Sequence, residues 1–177
     1  MQQILRTRNK MWIIIDGYNV IRQWPELARL DRVDLQSGRD ALLRELQLYR
    51  RAKRHEITVV FDGREQGGFS EETARVGGIG VRYSRQGETA DSVIARLVAE
   101  GGEGAVVVSS DREVEDAARR RGAAWLTAAE FLARLEASRL ISLKGGDEEE
   151  RPTKTGRGVA RRLPKGERRR EKRLRGL

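Results

Sequence analysis

The chain has 177 residues, a formal net charge of +9 and no cysteine, so it is long enough for one domain with a sizeable core. The absence of cysteine excludes disulfides, thiolate zinc sites and cysteine nucleophiles. No apolar run approaches the ~20 residues of a membrane helix, and residues 1–10 lack the apolar region of a secretory signal, so we expect a cytoplasmic protein with no membrane partner.

The first predicted element is a strand, "WIIID", at residues 12–16, whose continuous apolar run is typical of a strand covered on both faces. Asp16 directly follows four apolar residues, and this position favours a functional carboxylate. Asn19 comes three residues later, after a Gly-containing turn, as a candidate metal ligand or substrate contact or as a helix cap. Tyr18 is suited either to stacking on a base or to packing against the sheet.

The next elements are a helix over residues 36–54 and a second strand, "ITVVFDG". Asp62 lies near the end of this strand, where it is either a functional carboxylate or part of an Asp-Gly turn. The only histidine, His55, follows the helix, where a cation at a helix C-terminus is a simpler interpretation than a catalytic base. A Gly-rich loop over residues 63–78 then leads to "IGVRYS", which we predict to be a strand near an edge of the sheet.

The segment "SRQGETADS" connects this strand to a helix with an apolar stripe that includes Val93, Ile94 and Leu97. Asp91 lies in the first turn of the predicted helix, where it is either a functional carboxylate or a residue that favours the helix dipole. Arg85 is a candidate phosphate contact. Glu88 is a weaker member of the acidic set.

A fourth strand, "GAVVVSSD", also ends in polar residues. Asp111 is a candidate ligand, Ser109 and Ser110 could bind a phosphate at the following helix N-terminus, and Arg112 could support that contact. The structural alternative is a capping box formed by Ser110 and Glu113, with Arg112 facing solvent. A short strand, "AAWLT", and a helix over residues 128–140 follow, and Thr127 with Glu130 forms a second predicted capping box.

The alternation of strands and helices predicts an α/β fold with a mostly parallel central sheet and helices on both faces. The carboxyl ends of parallel strands share one edge of the sheet, so four acidic side chains from separate segments are expected there. Clustered carboxylates repel one another, and Mg²⁺ or Mn²⁺ would relieve that repulsion. The predicted metal ligands and catalytic residues are Asp16, Asp62, Asp91 and Asp111.

The basic character of the chain is concentrated in residues 151–177, which contain 12 Lys or Arg and 2 Glu, a net charge of +10. The preceding residues hold 24 basic and 25 acidic groups, a net charge of −1. We expect residues 144–177 to form an acidic hinge at 146–150 and a basic tail that is disordered or weakly helical when free. Such a tail is suited to binding RNA phosphates, and a purely solubilising role is the alternative.

The motifs "DGYNV", "FDG", "GETADS" and "SSDRE", in this order, resemble the NYN domain, a branch of the PIN-like nucleases. The YacP-like branch, which includes a ribosome-associated endoribonuclease, is the most similar. The resemblance covers about residues 11–140, and we assign residues 1–143 to the domain. It implies a three-layer PIN-like α/β/α sandwich and metal-dependent RNA cleavage. It also implies that the four aspartates are the acidic set, with Asn19 nearby, and that the ribosome is a further candidate partner.

The expected reaction is phosphodiester hydrolysis of single-stranded RNA, because a carboxylate-bound Mg²⁺ supplies hydroxide where no histidine base is available. The sequence leaves the number of metal ions and the oligomeric state open. The main alternative is a non-catalytic RNA- or ribosome-binding module on the same fold. A haloacid-dehalogenase-type phosphatase is disfavoured, because that class needs a second Asp at the position of Tyr18.

Overall fold

Six strands form one sheet in the order β3-β4-β2-β1-β5-β6, in a computed structural model that describes residues 10–63, 71–143 and 165–177. Neighbouring strands run parallel except β3, which is antiparallel to β4. The carboxyl ends of the five parallel strands therefore share one edge of the sheet. The strands are β1 (Trp12–Asp16), β2 (Glu56–Phe61), β3 (Glu72–Val76), β4 (Ile79–Tyr83), β5 (Ala105–Val108) and β6 (Ala124–Leu126).

Helices cover both faces of the sheet and divide the core into two clusters. The first cluster packs residues of α1, α2, α3, α6 and α7 on one face, and the second packs α4 and α5 on the other. Among the described helices, none has the length and apolar character needed to cross a bilayer. The helices are α1 (Gly17–Gln23), α2 (Pro25–Val33), α3 (Leu35–Lys53), α4 (Ala90–Gly101), α5 (Arg112–Arg120), α6 (Ala128–Leu143) and α7 (Lys165–Leu174).

The central strand β1 shows why the chain adopts a three-layer arrangement. Ile13 and Ile15 belong to the first cluster, and Ile14 belongs to the second. All three side chains are fully buried, because alternate residues of a strand point to opposite faces and both faces are covered here. The predicted three-layer α/β/α fold is thus confirmed.

Helices α1 and α2 and strand β3 were absent from the sequence prediction. The turn expected after β1 is helix α1, and α2 follows it directly. Gly17 lets α1 begin against the sheet, because a Cβ atom there would lie 2.3 Å from a ring carbon of Phe61. Strand β3 falls in the predicted loop over residues 63–78 and is exposed along its whole length, so it shows no apolar alternation.

The two predicted capping boxes have different outcomes. Thr127 and Glu130 form theirs, because the Thr127 amide donates to the Glu130 carboxylate at 2.8 Å and the Glu130 amide donates to the Thr127 hydroxyl at 3.2 Å. The prediction that Ser110 and Glu113 form a capping box is wrong. Helix α5 is instead capped by Asp111, whose carboxylate accepts the Glu113 amide hydrogen at 2.7 Å.

The C-terminal residues differ from the expected disordered or weakly helical tail. Residues 165–174 form α7, and Leu174 and Leu177 are buried in the first core cluster. Arg170 lies 4.0 Å from the ring centroid of Trp125 and donates to both carboxylate oxygens of Glu130 at 3.1 Å. Two buried leucines and a paired arginine thus hold this strongly basic segment against the domain.

Two other expectations concern the C-terminal region. The acidic stretch 146–150 lies outside the described residues, and the domain boundary at residue 143 stays a prediction.

The interpretation of His55 as a cation at a helix C-terminus is not favoured by its surroundings. His55 is buried, its burial lowers its pKa, and its Nε2 lies 3.0 Å from the carbonyl oxygen of Gly176.

Candidate active site

Asp16 lies at the carboxyl end of β1 and is the most buried of the predicted acidic residues, with 9% of its surface exposed. Its carboxylate caps α1 by accepting the Asn19 amide hydrogen at 3.2 Å, and it accepts the Ser109 hydroxyl hydrogen at 3.1 Å. Burial raises the pKa of Asp16 to about 6 despite these two hydrogen bonds. A buried carboxylate at this edge is suited to holding either a proton or a cation.

The other predicted aspartates lie at the same edge of the sheet. Asp62 follows β2, Asp91 lies in the first turn of α4, and Asp111 caps α5. The pKa of Asp91 is raised first by burial and then by the negative charges of Asp111, Glu113 and Asp62, and Asp91 in turn raises the pKa of Asp16. We call this electrostatically coupled set, Asp16, Asp62, Asp91, Asp111 and Glu113, the acidic rim.

The acidic rim has the chemistry of a divalent cation site but not a closed coordination sphere. Within the part of the chain that the structure describes, no three acidic or histidine side chains converge closely enough to hold one ion. A bound cation would nevertheless offset the repulsion between Asp91 and its acidic neighbours, and carboxylate oxygens suit Mg²⁺ and Mn²⁺. The residues therefore fit such an ion in donor type.

The loop after β5 is fixed against α1 by a network of polar contacts. The Ser110 amide donates to Asn19 Oδ1 at 2.9 Å, and Ser110 Oγ accepts from Gln23 at 2.8 Å and from the Ala128 amide at 3.1 Å. The Ser110 amide therefore does not point to a free anion site, contrary to the expectation that it binds phosphate. Asn19 Oδ1 also accepts a hydrogen bond from the Gln23 side chain at 3.4 Å. The side-chain nitrogen of Asn19 is therefore the group suited to a substrate contact.

Tyr18 is held beneath the rim by a buried arginine. Arg39 is 1% exposed and donates to the Tyr18 hydroxyl from Nε at 2.8 Å and from Nη2 at 2.6 Å. The Tyr18 ring meets Phe61 edge to face with centroids 5.3 Å apart. The structure thus gives Tyr18 the packing contact that the sequence offered as the alternative to stacking on a base.

The predicted arginines have unequal positions around the rim. Arg112 is exposed in the first turn of α5, whereas Arg85 lies 3.6 Å from Glu88 in an ion pair. Glu88 also pairs with Arg96, so it is neutralised outside the acidic rim. Sequence reasoning missed Arg22, whose charge lowers the pKa of Asp16.

Gln23 and Glu113 were also missed as parts of the site. The four-residue spacing of Asn19 and Gln23 could have identified Gln23, had α1 been predicted as a helix. Glu113 had been given only a capping role. Its charge acts on Asp91, an effect that becomes visible only when α4 and α5 are placed side by side.

Protonation of Asp16 should control part of the pH dependence of stability. A carboxyl whose pKa rises from 3.8 to about 6 on folding destabilises the folded state by about 3 kcal/mol once it is ionised. The contribution of Asp16 to stability is therefore most favourable below pH ~4 and is lost as the pH rises through ~6. As the pH rises from below ~4 to above ~6, we expect the free energy of unfolding of Asp16→Asn to increase by about 3 kcal/mol relative to that of the wild type. Urea unfolding without divalent cations measures this difference. A difference that does not change with pH would contradict this.

Comparisons with known proteins agree with this architecture. The sequence model of the YacP-like NYN domain family matches residues 13–175, which include α7. The uncharacterized protein YacP of Bacillus subtilis (strain 168) is 29% identical over 85 residues, covering 48% of this chain and 49% of that protein. The chain thus aligns with about half of that relative's length.

Two solved structures from the same organism are also similar. The crystal structure of Rae1 (YacP) from Bacillus subtilis has a TM-score of 0.62 and 28% identity, covering 75% of this chain and 78% of that chain. The crystal structure of a tryptophan-to-leucine mutant of Rae1 has a TM-score of 0.63 and 26% identity, covering 76% of this chain and 80% of that chain. The resemblance to the YacP-like branch inferred from the motifs is therefore confirmed.

Proposed function

Because the chain belongs to the YacP-like NYN domain family, which indicates a nuclease-type, RNA-related function, we propose that it is a divalent-metal-dependent endoribonuclease that cleaves single-stranded RNA. The observation that carries the proposal is the acidic rim. Its carboxylates come from four separate segments of the chain, and the pKa of Asp91 is raised first by burial and then by repulsion among them. A purely structural role does not require these charges to meet at the carboxyl edge of the sheet.

Asp16 and Asp111 are the proposed main ligands of Mg²⁺ or Mn²⁺, with Asp62 and Asp91 binding directly or through water. A bound ion of this kind lowers the pKa of its water and offsets charge on the phosphate oxygens. Ser109 fixes the Asp16 carboxylate through its hydroxyl. The side chain of Asn19 is held by the Ser110 amide, and its NH₂ group can donate a hydrogen bond to a phosphate oxygen.

Exposed cations beside the rim complete the proposed substrate contacts. Arg22 at the end of α1 and Arg112 at the start of α5 are both exposed and can bind phosphates that flank the scissile bond. Single-stranded RNA is the proposed substrate, because its backbone can enter a rim built from separate loops. Hydrolysis by water would leave a 5′-phosphate and a 3′-hydroxyl.

The test is incubation of the purified chain with an end-labelled single-stranded RNA, with Mg²⁺, with Mn²⁺ or with a chelator. We expect internal cleavage that depends on the cation and yields 5′-phosphate ends, identified by their sensitivity to a 5′-phosphate-dependent exonuclease. Cleavage that proceeds unchanged in excess chelator would refute the metal-dependent mechanism.

The alternative, a non-catalytic RNA- or ribosome-binding module, predicts RNA binding with no cleavage under any of these conditions. Ribosome association belongs to the proposal as an expectation from the family resemblance, and a cytoplasmic location belongs to it as an expectation from the sequence. Co-sedimentation of the chain with purified ribosomes tests the first of them.

A further inference from the structure

A second charged surface lies at the opposite edge of the sheet from the acidic rim. Helix α3 ends there directly before β2, and α5 ends there directly before β6. The last turn of α7 joins these two helix ends. Arg173 donates to the carbonyl oxygen of Gly122 after α5, and the Gly176 carbonyl contacts the ring of His55 after α3.

Exposed cations flank each of these contacts. Arg54 precedes His55, Arg121 precedes Gly122, and Arg175 precedes Gly176. We call five of the exposed cations at or directly after these helix ends the basic edge. Among the described residues, none of its side chains has a hydrogen bond or an ion pair. The basic edge consists of Arg54, Arg120, Arg121, Lys172 and Arg175.

A structural explanation accounts for only part of this pattern. Cations near a helix C-terminus each contribute about 0.3–1 kcal/mol through the helix dipole, and this effect fades within the last turn. It explains cations on each helix separately. It does not explain why α7 brings a third set beside the first two, where the like charges repel one another. The repulsion would be offset by an anionic partner.

Helix α7 presents its share of these cations on a fixed support. Arg170 and Arg173 point to the domain and are paired with Glu130 and Glu103, while Leu174 is buried. Lys172 in the last turn of α7 and Arg175 directly after the helix are exposed. Cations held on a docked helix lose less conformational entropy on binding than cations on a free tail.

We propose that the basic edge binds the sugar–phosphate backbone of single-stranded RNA at a second site, away from the acidic rim. The two surfaces are separated by the length of the strands, and the five residues of β1 span about 17 Å. One RNA must be long enough to reach both surfaces. The contacts proposed for these Arg and Lys side chains go to phosphates, and phosphate contacts carry no sequence information. This inference rests on RNA being the substrate of the proposed nuclease.

The test measures RNA binding separately from cleavage. A fluorescein-labelled uridine RNA of about 20 nucleotides is titrated with the full chain carrying Asp16→Asn, alone or combined with Arg120→Gln, Arg121→Gln and Arg175→Gln. We expect the three glutamines to weaken binding by about tenfold or more near 0.1 M salt. The slope of log affinity against log salt should fall by about 2, because each lost phosphate contact on a single strand removes about 0.7.

The matched control carries Arg29→Gln, Arg32→Gln and Arg44→Gln, which are exposed on α2 and α3 and leave the same net charge. We expect it to change affinity by less than about twofold. Equal weakening by both triple variants would overturn the site, because net charge alone would then explain binding. Equal weakening of polyglutamate binding by the basic-edge variant would overturn the assignment to RNA. The proposed function fails separately, if the wild type does not cleave this RNA with Mg²⁺ or Mn²⁺.

Discussion

Asp16→Asn is expected to reduce cleavage of single-stranded RNA by at least about a hundredfold while the fold remains intact. The substitution removes a carboxylate from the most buried position of the acidic rim, and a neutral amide is a poor ligand for Mg²⁺ or Mn²⁺. Asn has nearly the same shape, and its side-chain oxygen can still accept the Asn19 amide hydrogen that caps α1. The loss should therefore fall on chemistry and not on folding.

The measurement is the initial cleavage rate over a range of Mg²⁺ and Mn²⁺ concentrations, with a circular dichroism spectrum of each variant. Asp116→Asn is the matched control, because Asp116 is an exposed residue of α5 outside the acidic rim. We expect the control to retain wild-type activity. Equal rates for Asp16→Asn and the wild type would remove Asp16 from the chemistry.

Leu174→Ala is expected to lower the free energy of unfolding by about 2–4 kcal/mol. Leu174 is 4% exposed and packs in the first core cluster, so its truncation removes apolar contacts and leaves a cavity under α7. A tail that did not contact the domain would give no change. The expected loss thus distinguishes a docked helix from the disordered segment that the charge distribution suggested.

Urea unfolding with a single global probe measures this effect. Leu140→Ala is the control, since Leu140 is on α6 but 59% exposed, and we expect it to change stability by less than about 0.5 kcal/mol. If both leucines gave the same small change, α7 would not contribute to the core. A large loss only for Leu174 would also argue against treating residues 165–177 as removable in binding studies.

The positions of the docked contacts explain why a deletion cannot isolate the role of this segment. The Tyr49 hydroxyl donates to the Leu177 carbonyl at 2.8 Å, and Arg170 connects β6 to the first turn of α6. Helix α6 begins beside Ser110, whose hydroxyl oxygen accepts the Ala128 amide hydrogen. Removal of α7 would therefore affect the supports of the acidic rim as well as the basic edge.

The sequence by itself determined the central sheet and the position of the acidic rim. The apolar run of β1 is buried on both faces, so its composition and its place in the sheet follow from the same physical requirement. Asp16, Asp62 and Asp111 come at or just after strand ends, and parallel pairing then brings them to one edge whatever the details of packing. Local pattern and global fold agree at these positions.

Only the tertiary structure decided how the flanking segments behave. Strand β3 is exposed and is defined by its pairing with β4, and the role of Ser110 depends on α1 lying beside it. By its composition alone, helix α7 would be a solvated basic segment. Its arginines dock because the fold places Trp125, Glu130 and Glu103 beside them. These contacts join residues far apart in the chain, and periodicity carries no information about partners that only the folded chain brings together.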